Sequence, residues 1–210
     1  MPTPEQVLSG LSAIANEWRV VAILWHAFLA LMIVGLLAGV RPSRRLAGIL
    51  LALPLISVAL LAWATGNPFN GLVFTLASIC LIVISVAMRA LPIAVGPAWL
   101  AVLGALLFVF GWFYPHFLAV SSWVAYLYSA PTGLIPCPTL SIVIGLALIL
   151  NGLSSRWWSL VIGIVGLFYG VLGVLRLGVT LDVGLIVGAL VIVCYSIAGI
   201  RGRGAATTGA

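Results

Sequence analysis

The chain is a succession of long apolar blocks separated by short breaks that carry arginine, proline, glycine or asparagine. A helix needs roughly 20 apolar residues to cross a hydrocarbon core about 30 Å thick. The pattern therefore predicts an all-α polytopic bundle of seven transmembrane helices in a single transmembrane domain, residues 18–200. The seven blocks are residues 19–40, 46–65, 71–88, 98–118, 139–152, 157–175 and 181–200.

Composition confirms that the medium around these helices is a lipid bilayer. Of 210 residues, 64% are hydrophobic and only 6% are charged, and the mean hydropathy is +1.35. A soluble domain of this length has no interior large enough for so much apolar surface. The seven blocks and their breaks also leave no room for a separate soluble domain.

The arginines predict the orientation in the membrane. Lys and Arg are retained on the cytoplasmic side of short loops, and this chain has nine arginines and no lysine. With seven spans, only Arg19 and Arg176 fall on the opposite side from the rest. We therefore expect an outer N-terminus, a disordered cytoplasmic tail at residues 201–210 and a place in the bacterial inner membrane. The arginines on the cytoplasmic side are Arg41, Arg44, Arg45, Arg89, Arg156, Arg201 and Arg203.

The first 17 residues predict a helix lying on the membrane surface, with a frayed terminus as the equal alternative. Thr3 and Gln6 have the spacing of a capping box, and Pro4 suits the first helical position. A cleavable signal peptide begins with positive charge, whereas the first charged side chain here is Glu5. The apolar face of this helix consists of Val7, Leu8, Leu11 and Ile14.

Glycines spaced four apart predict close helix packing in lipid. The same glycine-rich faces are candidates for contact between copies of the chain in a homo-oligomer. The pairs are Gly35 with Gly39, Gly166 with Gly170, and Gly184 with Gly188.

Polar side chains are few, and in the seven-span arrangement they cluster in the outer half. Ionisable residues inside a membrane are costly and are therefore functional candidates. His26 lies roughly 10 Å into the first block at about 1.5 Å per residue, and His116 follows Pro115 near the end of the fourth. We expect both imidazoles to line one pocket with Cys137. The predicted ligand-binding residues are His26, His116, Cys137, Tyr114, Tyr126 and Asp182.

Three of these residues also form a metal-binding hypothesis. Imidazole and thiolate are ligands of transition metals and haem iron, so His26, His116 and Cys137 are the predicted ligands. The alternative for each histidine is a hydrogen bond to a neighbouring carbonyl. Asp182 either pairs with Arg176 at the surface or faces the bundle.

Cys137 stands in the tetrapeptide Pro136-Cys137-Pro138-Thr139. With Pro138 at the first helical position, Cys137 precedes the helix, and a helix N-terminus favours a thiolate. The alternative is a small side chain packed in a tight turn. Cys80 and Cys194 lie within apolar blocks and are predicted to be core residues.

A longer run around this tetrapeptide resembles a known family. Tyr114-Pro115-His116, then Tyr126 and Tyr128, then the segment 131–139 with its Pro-x-x-Gly-x-Pro-Cys-Pro-Thr order resemble the central signature of a bacterial family of small multi-pass membrane proteins. That family is known only as a domain of unknown function. The resemblance covers roughly thirty residues. It implies that the Pro-Cys-Pro loop matters, and it implies no substrate or cofactor.

Several functional classes are excluded by what the sequence lacks. There is no lysine for a retinal Schiff base, no HExxH motif and no phosphate-binding glycine loop. The net charge of +6 follows from arginines spread over membrane-flanking loops, so nucleic acid is not an expected partner.

Three functional hypotheses remain. The first is an outward-facing site that binds or transports a small ligand. The second is a membrane redox protein holding haem, quinone or copper at the same residues. The third is an accessory subunit of a membrane complex. Whether the chain is an enzyme is left open, since no nucleophile and base are visible for hydrolysis.

Overall fold

The computed structural model describes residues 3–207, with side chains described as far as residue 198. This part of the chain folds into nine α-helices and three short 3-10 helices. The α-helices are α1 (Pro4–Glu17), α2 (Arg19–Leu37), α3 (Arg44–Ala64), α4 (Pro68–Ala87), α5 (Ala98–Phe113), α6 (Tyr126–Ser129), α7 (Pro136–Ile149), α8 (Arg156–Leu175) and α9 (Val183–Thr207). The longest connections follow α4 and α5.

Five helical segments are long and apolar enough to cross a membrane: α2, α3, α4, α8, and Thr180–Ala198, which contains most of α9. The predicted all-α, multi-pass membrane architecture is thereby confirmed. Each of the two remaining apolar blocks contains a shorter helix, α5 with 16 residues and α7 with 14. At about 1.5 Å per residue these two helices are roughly 24 and 21 Å long.

Helix α7 is the centre of the bundle. Twelve of its 14 residues are buried, because it is apolar all round and is surrounded by other helices. It packs on α5, α8, α9 and α3. A helix covered by protein on every side does not have to match the thickness of the lipid around the bundle, so its shortness is compatible with its central position.

Glycine allows the backbones of α5 and α7 to touch. A Cβ atom added to Gly145 would lie 2.7 Å from the Gly104 carbonyl oxygen, and one added to Gly104 would lie 2.5 Å from that of Gly145. Gly111 lies against the Pro138 carbonyl oxygen, 2.9 Å from such a Cβ atom. The two helices therefore run antiparallel with their glycine faces together.

Two of the three predicted glycine pairs pack as expected. On α8, a Cβ atom at Gly166 would lie 3.1 Å from the Cβ atom of Ala189, and one at Gly170 would lie 3.2 Å from the Ile186 nitrogen, both on α9. Gly184 and Gly188 face Phe110 and Leu107 of α5.

The prediction that Gly35 and Gly39 form a close-packing site is wrong within the described part of the chain. The nearest atom to a Cβ at Gly35 is 4.0 Å away, on Val40. Gly39 follows α2 and has a φ of +88°, so its role is to let the chain leave the helix in a left-handed conformation.

The N-terminal helix forms as predicted, with both hydrogen bonds of the Thr3–Gln6 capping box present. Asn16 fastens α1 to the loop after α5, since its Nδ2 donates to the Phe117 oxygen and its Oδ1 accepts from the Ala119 N–H, both at 2.9 Å. At the other terminus, the predicted disordered tail 201–210 is helical as far as Thr207. Residues 208–210 lie outside the described part.

Candidate functional site

A buried carboxyl group, that of Asp182, is the centre of the candidate site. The residue closes a short 3-10 turn just before α9 and is 1% exposed. The Tyr114 hydroxyl, at the end of α5, donates to Asp182 Oδ1 over 2.7 Å. Gly173 of α8 makes room for the other oxygen, because a Cβ atom there would overlap Asp182 Oδ2. Of the two arrangements considered for Asp182, the inward-facing one is therefore present.

Cys137 lies beside this carboxyl group, close enough to interact with it. The helix that carries it begins at Pro136, with Ile135 as N-cap, two residues before the predicted start at Pro138. The expectation that Cys137 precedes the helix is therefore wrong. Proline lacks an N–H that the first turn of a helix would leave unbonded in any case, so both prolines fit there. Cys137 therefore lies in the first turn of α7, beside the Asp182 carboxyl.

A small cavity adjoins these side chains. Its volume is about 30 Å³, and its polar lining consists of Asn70, Cys137, Tyr169 and Asp182. The Tyr169 hydroxyl donates to Asn70 Oδ1 over 2.9 Å, which links α8 to the start of α4. A cavity needs about 10–15 Å³ of accessible volume to hold one water molecule, so this one has room for about two.

Apolar side chains cover the cavity at the end of the bundle where α1 lies. They come from α1, the loop after α5 and the turn between α8 and α9. The residues are Val7, Leu11, Phe117, Leu177 and Val179.

His26 does not line this cavity and lies instead between α2 and α5. Its Nδ1 is 2.9 Å from the Ala22 oxygen and its Nε2 is 3.2 Å from the Trp112 oxygen. The ring packs edge-on against Trp112, with centroids 4.7 Å apart. Both ring nitrogens face carbonyl oxygens, which is the arrangement named as the alternative to a metal-binding role.

His116 is closer to the site but does not line the cavity. Its ring packs against Phe117 with centroids 4.3 Å apart, and it is near enough to interact electrostatically with Asp182. Tyr126 lies elsewhere and points its hydroxyl at the Leu118 oxygen, 3.4 Å away. The structure thus joins Tyr114, Cys137 and Asp182 and leaves both histidines outside the cavity that Cys137 lines.

The described residues do not form a metal centre. Within residues 3–198 no three side chains of His, Cys, Asp or Glu are grouped so as to hold a metal ion. A cavity of about 30 Å³ also has no room for a porphyrin or quinone ring. His26, His116 and Cys137, the predicted ligand set, do not form such a group in this part of the chain.

Two polar residues of the site are absent from the sequence-based set, and each had a weak signal. Asn70 belongs to the polar break between the second and third apolar blocks of the sequence, which in the structure forms the first turn of α4. Tyr169 stands among the glycines of α8, where a large polar-tipped side chain beside small residues indicates a buried hydroxyl. Cys80 and Cys194, predicted to lie in the core, are instead exposed on the outer surfaces of α4 and α9.

Fold and site together define an all-helical, multi-pass membrane protein with a buried carboxyl group beside a small cavity at one end of the bundle. No family model, no curated protein and no solved structure matches the chain. The function has to be argued from the residues themselves.

Proposed function

We propose that the chain crosses the bacterial inner membrane seven times, with its N-terminus outside, and that it binds and transports a small monovalent cation at Asp182. The observation that carries the proposal is the fully buried Asp182 carboxyl, bonded to the Tyr114 hydroxyl and facing a cavity in a lipid-embedded bundle. Ionisable residues buried inside a membrane-embedded bundle are costly, and where they occur they mark ion or substrate pathways.

The contacts at the helix ends support seven crossings. At the end opposite the site, the Arg44 N–H donates to the Leu91 oxygen over 2.8 Å and the Gly96 N–H to the Ile149 oxygen over 2.9 Å. These contacts bring the loops after α2, α4 and α7 together. Arg41 lies in the loop after α2, and Arg45 and Arg156 lie in the first turns of α3 and α8 at the same end, so the positive-inside rule favours this end as the cytoplasmic one.

Cysteine labelling in intact cells tests this topology. In a background with Cys80, Cys137 and Cys194 replaced by serine, we expect Ser121→Cys to react with an impermeant maleimide and Ser154→Cys to react only after the membrane is opened. Both positions are exposed loop residues. Labelling of the Ser154 variant in intact cells would reverse the proposed orientation.

The chemistry and size of the cavity determine the class of ligand. Asp182, Asn70 and Tyr169 contribute oxygen-bearing side chains to the lining of a cavity of about 30 Å³ whose wall is otherwise largely apolar, and oxygen ligands with a carboxylate suit a hard cation. Drug-sized ligands need about 300–1,000 Å³. The site therefore suits a proton carried with water, ammonium or sodium better than an organic molecule.

Proteoliposomes holding the purified protein test the proposal. Under an imposed membrane potential we expect uptake of at least one small cation well above that of protein-free vesicles. A trapped pH dye reports protons, and radioactive sodium and a trapped ammonium-sensitive dye report the other two. If all three fluxes equal those of the empty vesicles, the transport proposal fails. Uptake of large organic cations at the same rate would argue against the small cavity as the route.

A further inference from the structure

A second site lies on the surface, in an open cleft of about 420 Å³ beside Arg19. Its polar lining consists of Arg19, Ser121, Ser122 and Tyr128. The geometry points to a binding site for the phosphate headgroup of a membrane glycerophospholipid, with the acyl chains lying along α2.

Arg19 is held in a fixed position. Its Nε donates to Ser129 Oγ over 3.0 Å and its Nη2 to the Tyr128 hydroxyl over 3.3 Å. Ser129 Oγ in turn donates to the Ala125 oxygen over 2.7 Å. The guanidinium carbon lies 5.7 Å from the centre of the Tyr128 ring. Much of the entropy cost of ordering this long side chain is therefore already met before a ligand arrives.

The guanidinium group retains donors for an anion. Among the described residues, Arg19 Nη1 has no hydrogen-bond partner, and the Ser121 hydroxyl has none. A guanidinium group matches the geometry of phosphate oxygens and binds them in charge-assisted pairs. An arginine and a free hydroxyl at the wall of one cleft are the donors that a phosphodiester needs.

The surroundings favour a lipid over a free phosphate ion. Arg19 is the first residue of α2, and the face of α2 that continues below it exposes Ile23, Val34 and Leu37. Trp123, next to the cleft, is 72% exposed, as is typical of an aromatic side chain at a membrane interface. A cleft of about 420 Å³ is also far larger than a phosphate ion. A headgroup in the cleft would place its acyl chains against this apolar face.

Native mass spectrometry of the purified protein tests the site, with dioleoyl phosphatidylglycerol as the probe and dioleoylglycerol as the same lipid without phosphate. We expect the first to bind more tightly than the second. Arg19→Gln should weaken phosphatidylglycerol binding by about tenfold or more, as for loss of a charge-assisted hydrogen bond. Ser121→Glu should do the same by repulsion, while the contacts of Arg19 with Ser129 and Tyr128 are retained.

Arg156→Gln is the matched control, because Arg156 also opens a long apolar helix and lies 4.9 Å from an aromatic ring, that of Trp157, but does not line the cleft. It should leave binding unchanged. Should Arg19→Gln fail to fold, Ser121→Glu still decides the question. Equal losses in the Arg19 and Arg156 variants, equal binding of dioleoylglycerol, or displacement of the lipid by inorganic phosphate would each overturn the headgroup site.

Discussion

Replacing Gly145 with alanine is expected to destabilise the bundle strongly, because it adds a methyl group at the contact between the backbones of α5 and α7. The new Cβ atom would lie 2.7 Å from both the Gly104 oxygen and the Phe108 nitrogen. Both are backbone atoms of α5, so no side-chain rotation relieves the clash and the two helices must separate. Overpacking a well-filled core costs about 1–3 kcal/mol, and we expect the upper end here. Thermal unfolding of the detergent-solubilised protein, together with its elution on size exclusion, measures the effect.

Gly35→Ala provides the matched control in another membrane-embedded helix. Its Cβ atom would come no closer than 4.0 Å to any neighbour in the described part of the chain. The substitution should therefore be neutral or stabilising by up to about 1 kcal/mol through helix propensity. If both variants unfold at the same temperature, the close contact between α5 and α7 is not what holds the bundle together.

The positions of the helices could be predicted from the sequence because proline, asparagine and arginine interrupt the apolar blocks. The second and third blocks, predicted to begin at residues 46 and 71, correspond to α3 and α4, which begin at Arg44 and Pro68, so the breaks locate both starts to within three residues. The central position of α7 could not be predicted in this way. When nearly every residue is apolar, periodicity no longer distinguishes a lipid-facing side from a protein-facing side, and only shape decides which helix is enclosed.

The same limitation explains which members of the site were predicted. Tyr114, Cys137 and Asp182 lie at helix ends, where the order of the chain alone brings them to one end of the bundle. His26 lies inside α2, and its direction depends on the rotation of the helix, which depth does not determine. The rotation directs its ring to the Trp112 carbonyl on α5. Asn70 and Tyr169 meet through the packing of α4 on α8, two helices far apart in sequence.

Asp182→Asn should reduce cation flux in proteoliposomes to near the level of protein-free vesicles. Asparagine has almost the same volume and keeps an oxygen that can accept from the Tyr114 hydroxyl, so the fold is expected to survive. The substitution removes the only carboxyl group among the side chains that line the cavity. Loss of a hydrogen-bonded charge at a buried site costs roughly 1.5–3 kcal/mol, which corresponds to about tenfold or more in affinity. Flux is measured with the cation that the wild-type protein carries.

Two controls separate a specific role of the Asp182 carboxyl from a general effect of charge or packing. Glu17→Gln removes a carboxylate from an exposed residue outside the cavity and should leave the flux unchanged. Gly173→Ala places a methyl group where Asp182 Oδ2 lies, so the carboxyl must move although its charge remains. Gly166→Ala, on the same helix, is the packing control, because its Cβ atom would meet only side-chain atoms, Ile144 Cδ1 at 2.5 Å and Ala189 Cβ at 3.1 Å. We expect folded protein in both glycine variants but loss of flux in the Gly173 variant alone. Full flux in the Asp182→Asn or Gly173→Ala protein would mean that the cation crosses by another path.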